Sequence, residues 1–172
     1  PVRRYILGKQ DNNIVDKFKS DWHYYIFQSI AATLAIFFLL LLVSIQQKPV
    51  IVASIAATTF IVFAMPNYIT AQPRNLVGGH IAGMVCGFLF SMIPFHLVLP
   101  QTIALSFMYA LAVGASFFIM VATDTEHPPA AGTALGVAMA GFSMKITLTI
   151  LISVTFLSCV HYFFRHQLKD LT

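Results

Sequence analysis

The stretch AAGTALGVAMAGFSMKITLTILISVTFLSCVHYFF, residues Ala130–Phe164, holds one lysine in 35 residues, and the placing of that lysine decides the architecture. One continuous helix would sink the Lys145 ammonium into an apolar run, at a cost of several kcal/mol unless the side chain snorkels. A turn over Gly141-Phe142-Ser143-Met144-Lys145 moves the charge to a membrane interface and splits the stretch into two elements. The turn is the cheaper arrangement.

The rest of the chain has the same character. Of 172 residues, 58% are hydrophobic and 9% charged, with a mean hydropathy of +0.81. A soluble domain carries about 25% charged residues, and a chain this short still exposes roughly a third of its surface. A soluble enzyme, a secreted disulfide scaffold and a disordered regulator are therefore excluded. Only Lys48, Arg74, Asp124, Glu126 and Lys145 carry charge between Trp22 and Phe164. Cys86 and Cys159 lie singly in apolar runs and read as buried free thiols. The net charge is +4, and five of the ten basic residues sit in the first 21 positions, which suits membrane topology and anionic lipid rather than nucleic acid.

The expected fold is all-α: a polytopic transmembrane bundle with short or broken helices and a weak internal parallel repeat. Six hydrophobic elements fall at about 23–45, 50–65, 76–93, 101–122, 130–144 and 146–164. The first, fourth and sixth can cross ~30 Å of hydrocarbon; the other three are short. Residues 1–21 form an N-terminal segment, 22–164 the membrane domain and 165–172 a tail. In the first of these, Asp11-Asn12-Asn13 could cap an interfacial helix with Ile14, Val15, Phe18 and Trp22 on one face. The run Ile26–Ile45 is too long for a signal-peptide core. Beginning at Pro1, the chain reads as a trimmed or processed product. With six crossings, Arg3, Arg4, Lys9, Lys17, Lys19, Arg74, Arg165 and Lys169 share one side, and Lys48 and Lys145 the other. Positive-inside reasoning then puts both termini in the cytoplasm.

The repeat relates Val50–Phe88 to Thr102–Phe142. Shifted by 54 residues, Gly78, Gly87 and Phe88 fall on Gly132, Gly141 and Phe142. Each half is an apolar helix, a polar loop containing proline, and a short glycine-rich helix. The loops are Gln72-Pro73-Arg74-Asn75-Leu76-Val77-Gly78-Gly79-His80 and Asp124-Thr125-Glu126-His127-Pro128-Pro129-Ala130-Ala131-Gly132. Proline at a helix entrance loses nothing by lacking an N–H, and the N-terminus behind it favours an anion. Paired short segments interrupted by glycine and proline point to a transport site.

The candidate ligand-binding residues are Arg74, Asn75, Gly78, Gly79, His80, His127, Pro128, Gly132 and Thr133. Asp124, Glu126 and His127 are candidates for relaying a proton, histidine being the side chain that titrates near neutrality. Each has a plainer reading. The glycines form GxxxG ladders that let helices approach, Arg74 can pair with Asp124 or Glu126, His80 can be a hydrogen-bonded core residue, and Glu126 and His127 can cap a helix. His80, Asp124, Glu126 and His127 could ligate a metal, but no spacing holds two of them on one helical face. No metal or other cofactor is expected. No nucleotide-binding or hydrolase motif is present either, so an enzyme is not expected.

Glu126-His127-Pro128-Pro129-Ala130-Ala131-Gly132, with Gln72-Pro73-Arg74-Asn75 and Gly78-Gly79-His80 upstream, resembles the HPP family of integral membrane proteins over roughly residues 25–165. That family is usually described with four spans, against six elements here. Plant and cyanobacterial relatives are associated with nitrite transport. The resemblance therefore implies transport of a small inorganic anion such as nitrite, in a bacterial inner membrane or plastid envelope, with both termini cytoplasmic or stromal. A co-transported proton would offset the cost of carrying charge through hydrocarbon. An anion channel, a proton or cation channel using Asp124 and Glu126, and a non-transport assembly subunit remain as alternatives. Partners expected are the anion, the lipid bilayer and further copies of the chain in a homo-oligomer.

Overall fold

The computed structural model describes residues 14–43, 48–94 and 97–172. The capping residues Asp11-Asn12-Asn13 and the basic residues Arg3, Arg4 and Lys9 lie outside them, as do the side chains of Ile14, Val15 and Lys17. The described residues form six α-helices: α1 (Ile14–Val43), α2 (Pro49–Ala64), α3 (Pro73–Ser91), α4 (Gln101–Ala122), α5 (Pro129–Ala140) and α6 (Met144–Phe164). A 3-10 turn, Ile69–Ala71, precedes α3. The chain is an all-α membrane protein.

The starts of these helices are written in proline. Pro49, Pro73 and Pro129 open α2, α3 and α5, and α4 begins immediately after Pro100. At that position the ring fixes a helical φ and the missing N–H has no carbonyl to reach. The break at Lys145 is present. Helix α5 stops at Ala140, Gly141 takes a φ of 70°, and α6 opens at Met144. A side chain at Gly141 would meet no neighbour within 4 Å, so glycine is required there by backbone conformation alone. That turn ends α5 four residues earlier than the hydrophobic run suggests. Helix α1, by contrast, begins earlier and carries residues 14–21 into the first spanning element without interruption.

Helices α1, α4 and α6 are long and apolar enough to cross a membrane. Their outward faces carry Phe37, Phe38, Phe117, Phe118, Leu148 and Ile152, all exposed, as lipid contact demands. At 12 residues α5 is about 18 Å long, short of the ~30 Å hydrocarbon thickness. The core is Leu39, Ile51, Ile55, Val62, Leu76, Ile150 and Leu157.

The helices' ends meet in two sets. At one end Arg74 reaches Asp124, Thr70 meets His127, and Pro66 meets His161. The C-terminal tail folds back to that same end. The Leu171 amide donates to the Ala64 carbonyl, Gln28 on α1 donates to the carbonyls of Phe63 and Lys169, and Lys169 pairs with Asp21 at 2.7 Å. At the other end Lys48 and Ala140 line one groove, and the rings of Phe88 and Phe142 lie 5.0 Å apart. Successive helices therefore alternate in direction, and α3 and α5 run parallel with their N-termini together, as the repeat requires.

Candidate functional site

Among the described helices the parallel pair α3 and α5 packs most extensively, and its glycines allow it. A Cβ on Gly79 would lie 2.7 Å from the His127 Cβ. On Gly83 it would lie 2.5 Å from the Ala130 carbonyl oxygen, and on Gly87 2.5 Å from that of Ala134. Gly83 and Gly87 on α3 step past Ala130 and Ala134 on α5, and Gly79 meets His127 just before it, which fixes the register. Gly78 seats the Thr125 side chain, Gly132 lies against Ser54 and Gly136 against Ile51, so α2 closes on α5 in the same manner.

This close packing brings His80 and His127 together. Both are sealed from solvent, at 1% and 0% exposure, with ring centroids 5.1 Å apart. Each places its Nε2 2.9 Å from the hydroxyl of Thr58, on α2. The His127 Nδ1 lies 2.8 Å from the Thr70 carbonyl. A carbonyl only accepts, so this nitrogen carries a hydrogen. His80 Nδ1 lies 2.8 Å from the Thr133 hydroxyl, which is 2.8 Å from that of Ser54, and Ser54 donates to the Pro129 carbonyl at 2.6 Å. A continuous hydrogen-bonded chain thus runs from Thr70 to Pro129 across four elements. Ser54, Thr58, His80, His127 and Thr133 are all buried.

Of the sequence candidates, His80, His127 and Thr133 belong to this chain, while Asn75 is buried beside it and donates to the Glu126 carbonyl at 3.1 Å. Arg74, Asp124 and Glu126 stand apart, at the rim. Arg74 donates to the Asp124 carboxylate at 3.1 Å and to the Thr123 carbonyl at 2.9 Å. Asp124 has a φ of 56°, and the Thr125 amide returns to the Met120 carbonyl, a helix ending that ordinarily takes glycine. Asp holds the position, and its carboxylate meets Arg74. Both side chains are about two-thirds exposed, so the pair contributes little to stability. Replacing Arg74 with alanine is expected to change the unfolding free energy in detergent by less than about 1 kcal/mol.

The entrance of α5 is also more occupied than its dipole suggests. Pro128, which is exposed, and Pro129 have no N–H, and the Ala130 and Ala131 amides turn back to the carbonyls of His127 and Pro128. Ser54 and Thr58 are the participants that the loop motifs do not signal. Their trace in the sequence is two hydroxyls four residues apart, on one face of a helix whose other polar side chain is Thr59. Elsewhere, Ser153, Ser158 and the Nδ1 of His161 are buried on α6 without a partner among the described residues. Among the described residues no group of three or more histidine, cysteine or acidic side chains could hold a metal.

The family model described as HPP, transmembrane region, matches residues 17–168. The chain belongs to the HPP family. The motif His127-Pro128-Pro129 thus has a structural reading in this HPP protein: the histidine enters the buried chain, and the two prolines start α5. Two proteins of Dictyostelium discoideum, each named only as a transmembrane protein, are similar to it. One is 39% identical over 52% of this chain, the other 30% identical over 54%. The matched segments cover 30% and 29% of those relatives' own length. No solved structure matches the chain.

Proposed function

We propose that this HPP protein is a transporter of a small inorganic anion of the nitrite type, moved together with a proton. The observation that carries the reading is the His80–Thr58–His127 arrangement: two ionisable rings fully buried in an apolar bundle, one on α3 and one in the loop that leads into α5. Ionisable groups inside a membrane protein are costly to keep, and where they persist they mark ion and substrate paths. A protonated imidazole presents N–H donors and one positive charge, the complement of a compact monovalent acceptor. The N-terminal dipoles of α3 and α5 add positive potential at the same end, and Arg74 lies on the approach to it. The resemblance of both loop motifs to relatives associated with nitrite transport supports the choice of anion.

Coupling follows from charge. Moving one elementary charge against a membrane potential costs about 2.3 kcal/mol per 100 mV, and a proton carried with the anion cancels that charge. Because both rings are sealed, either ligand reaches them only when α3 and α5 part, which is the alternating exposure a carrier needs.

The test is uptake of nitrite into proteoliposomes, with and without an inward proton gradient, for the wild type and for His127→Ala. Uptake should be driven by the gradient and lost in the variant. Uptake indifferent to the gradient would replace the carrier by a channel, and no uptake by the wild type would remove the anion.

A further inference from the structure

The buried hydrogen-bonded chain is one hydrogen short. It has six links: Thr70 carbonyl to His127 Nδ1, His127 Nε2 to Thr58, Thr58 to His80 Nε2, His80 Nδ1 to Thr133, Thr133 to Ser54, and Ser54 to the Pro129 carbonyl. Each link needs one hydrogen. Two neutral histidines and three hydroxyls supply five. Both ends are carbonyls, which only accept, so the missing hydrogen cannot come from a terminus. With both rings neutral, one link sets lone pair against lone pair at hydrogen-bonding distance. A seventh contact, from Thr58 to the Ser54 carbonyl at 3.0 Å, competes for the same hydroxyl hydrogen. That carbonyl lies within α2, where the amide of Thr58 is its ordinary helical partner.

We infer that His80 and His127 together form a site for one proton, whose charge passes between the rings through the Thr58 hydroxyl. The inference rests on the transport reading only for its purpose; the hydrogen count holds without any anion.

Two placements of the added proton satisfy all six links. In the first, His80 carries both ring hydrogens: Nε2–H donates to Thr58, Thr58 donates to His127 Nε2, and Nδ1–H donates to Thr133. In the second, His127 carries both: Nε2–H donates to Thr58, and Thr58 donates to His80 Nε2. One becomes the other by two hydrogen shifts. The His80 Nε2–H bond breaks as a new O–H bond forms at Thr58, and the old Thr58 O–H bond breaks as an N–H bond forms on His127. Nothing else moves, and the total charge stays at one. The remaining hydrogens, Thr133 to Ser54 and Ser54 to Pro129, keep the same direction in both placements.

Capacity stops at one because a second charge at a ring separation of 5.1 Å, away from water, is strongly repelled. The surrounding elements bring little to alter this. Helices α2 and α5 carry no ionisable side chain. Beyond the histidine, α3 has Cys86 and, at the rim, Arg74; α4 has Tyr109; and α6 has Lys145, Cys159, His161 and Tyr162. Tyr68 precedes the 3-10 turn. In the loop, Asp124 is paired with Arg74, and Glu126 is half-buried.

The test uses the whole chain in lipid nanodiscs, labelled with nitrogen-15 histidine. Carbonyl labelling of glycine identifies His80 in the pair Gly79-His80, and that of glutamate identifies His127 in Glu126-His127; no other histidine follows either residue type. Ring nitrogen spectra are recorded from about pH 8 to about pH 5, the range in which histidine changes charge. The expected result is one proton gained by the two rings together, both sets of signals moving with a common midpoint. Two protons gained, one ring titrating while the other stays unmoved, or no gain at all would each overturn the site. A chain that moves nitrite with unresponsive rings would keep the transport reading and lose this one.

Discussion

Replacing Thr58 with valine is expected to destabilise the bundle by about 2 kcal/mol and to abolish the response of transport to a proton gradient. Valine keeps the shape of threonine and removes only the hydroxyl, so the core around Ile55 and Val62 stays filled. What is lost is the hub where His80, His127 and the Ser54 carbonyl converge. Hydrogen bonds between membrane helices average about 0.6 kcal/mol each, so the two links to the histidines give about 1 kcal/mol, and a buried ring nitrogen left unpaired adds about 1 kcal/mol more. The consequence for chemistry is larger than the consequence for stability, because without the hydroxyl no hydrogen bridges the two rings. Thr58→Ser restores that bridge and should recover the gradient response. Unfolding in mixed detergent measures the first effect, and nitrite uptake at several internal pH values the second. A valine variant as stable as the wild type, with uptake still following the gradient, would show that the hydroxyl is a bystander.

The sequence announces some parts of this structure and is silent on others, for physical reasons. The turn at Lys145 is legible because a buried ammonium is expensive, and the helix starts are legible because proline fixes them. The meeting of the two loops follows from the repeated layout, and with it the pairing of His80 with His127 and Thr133. Thr58 and Ser54 escape notice because a hydroxyl in an apolar helix usually returns to its own backbone four residues earlier, as Thr59 does with Ile55. Their significance depends on which side of α2 faces α3 and α5, and that is a matter of packing between segments distant in sequence. Asp124 hides its conformation for a similar reason. A helix ending with positive φ suggests glycine, and the aspartate there is explained only when Arg74, 50 residues away, is found beside it. The docking of the tail through Gln28 and Lys169 spans 141 residues and has no local signature at all.

The two loops could meet without the helices behind them touching, and Gly83→Ala separates these cases. The added methyl would stand 2.5 Å from the Ala130 carbonyl oxygen and 3.3 Å from the Ala134 amide nitrogen. Both are backbone atoms of α5, so no side chain can rotate away and the helices themselves must part. Overpacking of this kind costs about 1–3 kcal/mol. Gly114→Ala, on α4, is the matched control, since nothing lies within 4 Å of its new methyl. There the better helix propensity of alanine, worth up to about 1 kcal/mol, acts unopposed, so the two substitutions should move stability in opposite directions. The site should feel only one of them. Gly83 lies three residues beyond His80 on α3, close to one helical turn, and the His80–Thr133 contact of 2.8 Å bridges the same α3–α5 seam. Parting the helices at Gly83 therefore stretches that link and leaves the Thr58–His127 half of the chain intact. Thermal unfolding of both variants, together with the His80 nitrogen signals, reads the two consequences separately. Equal stability of Gly83→Ala and Gly114→Ala would mean that α3 and α5 do not approach this closely in the bilayer, and the shared proton would lose the packing that holds its two rings together.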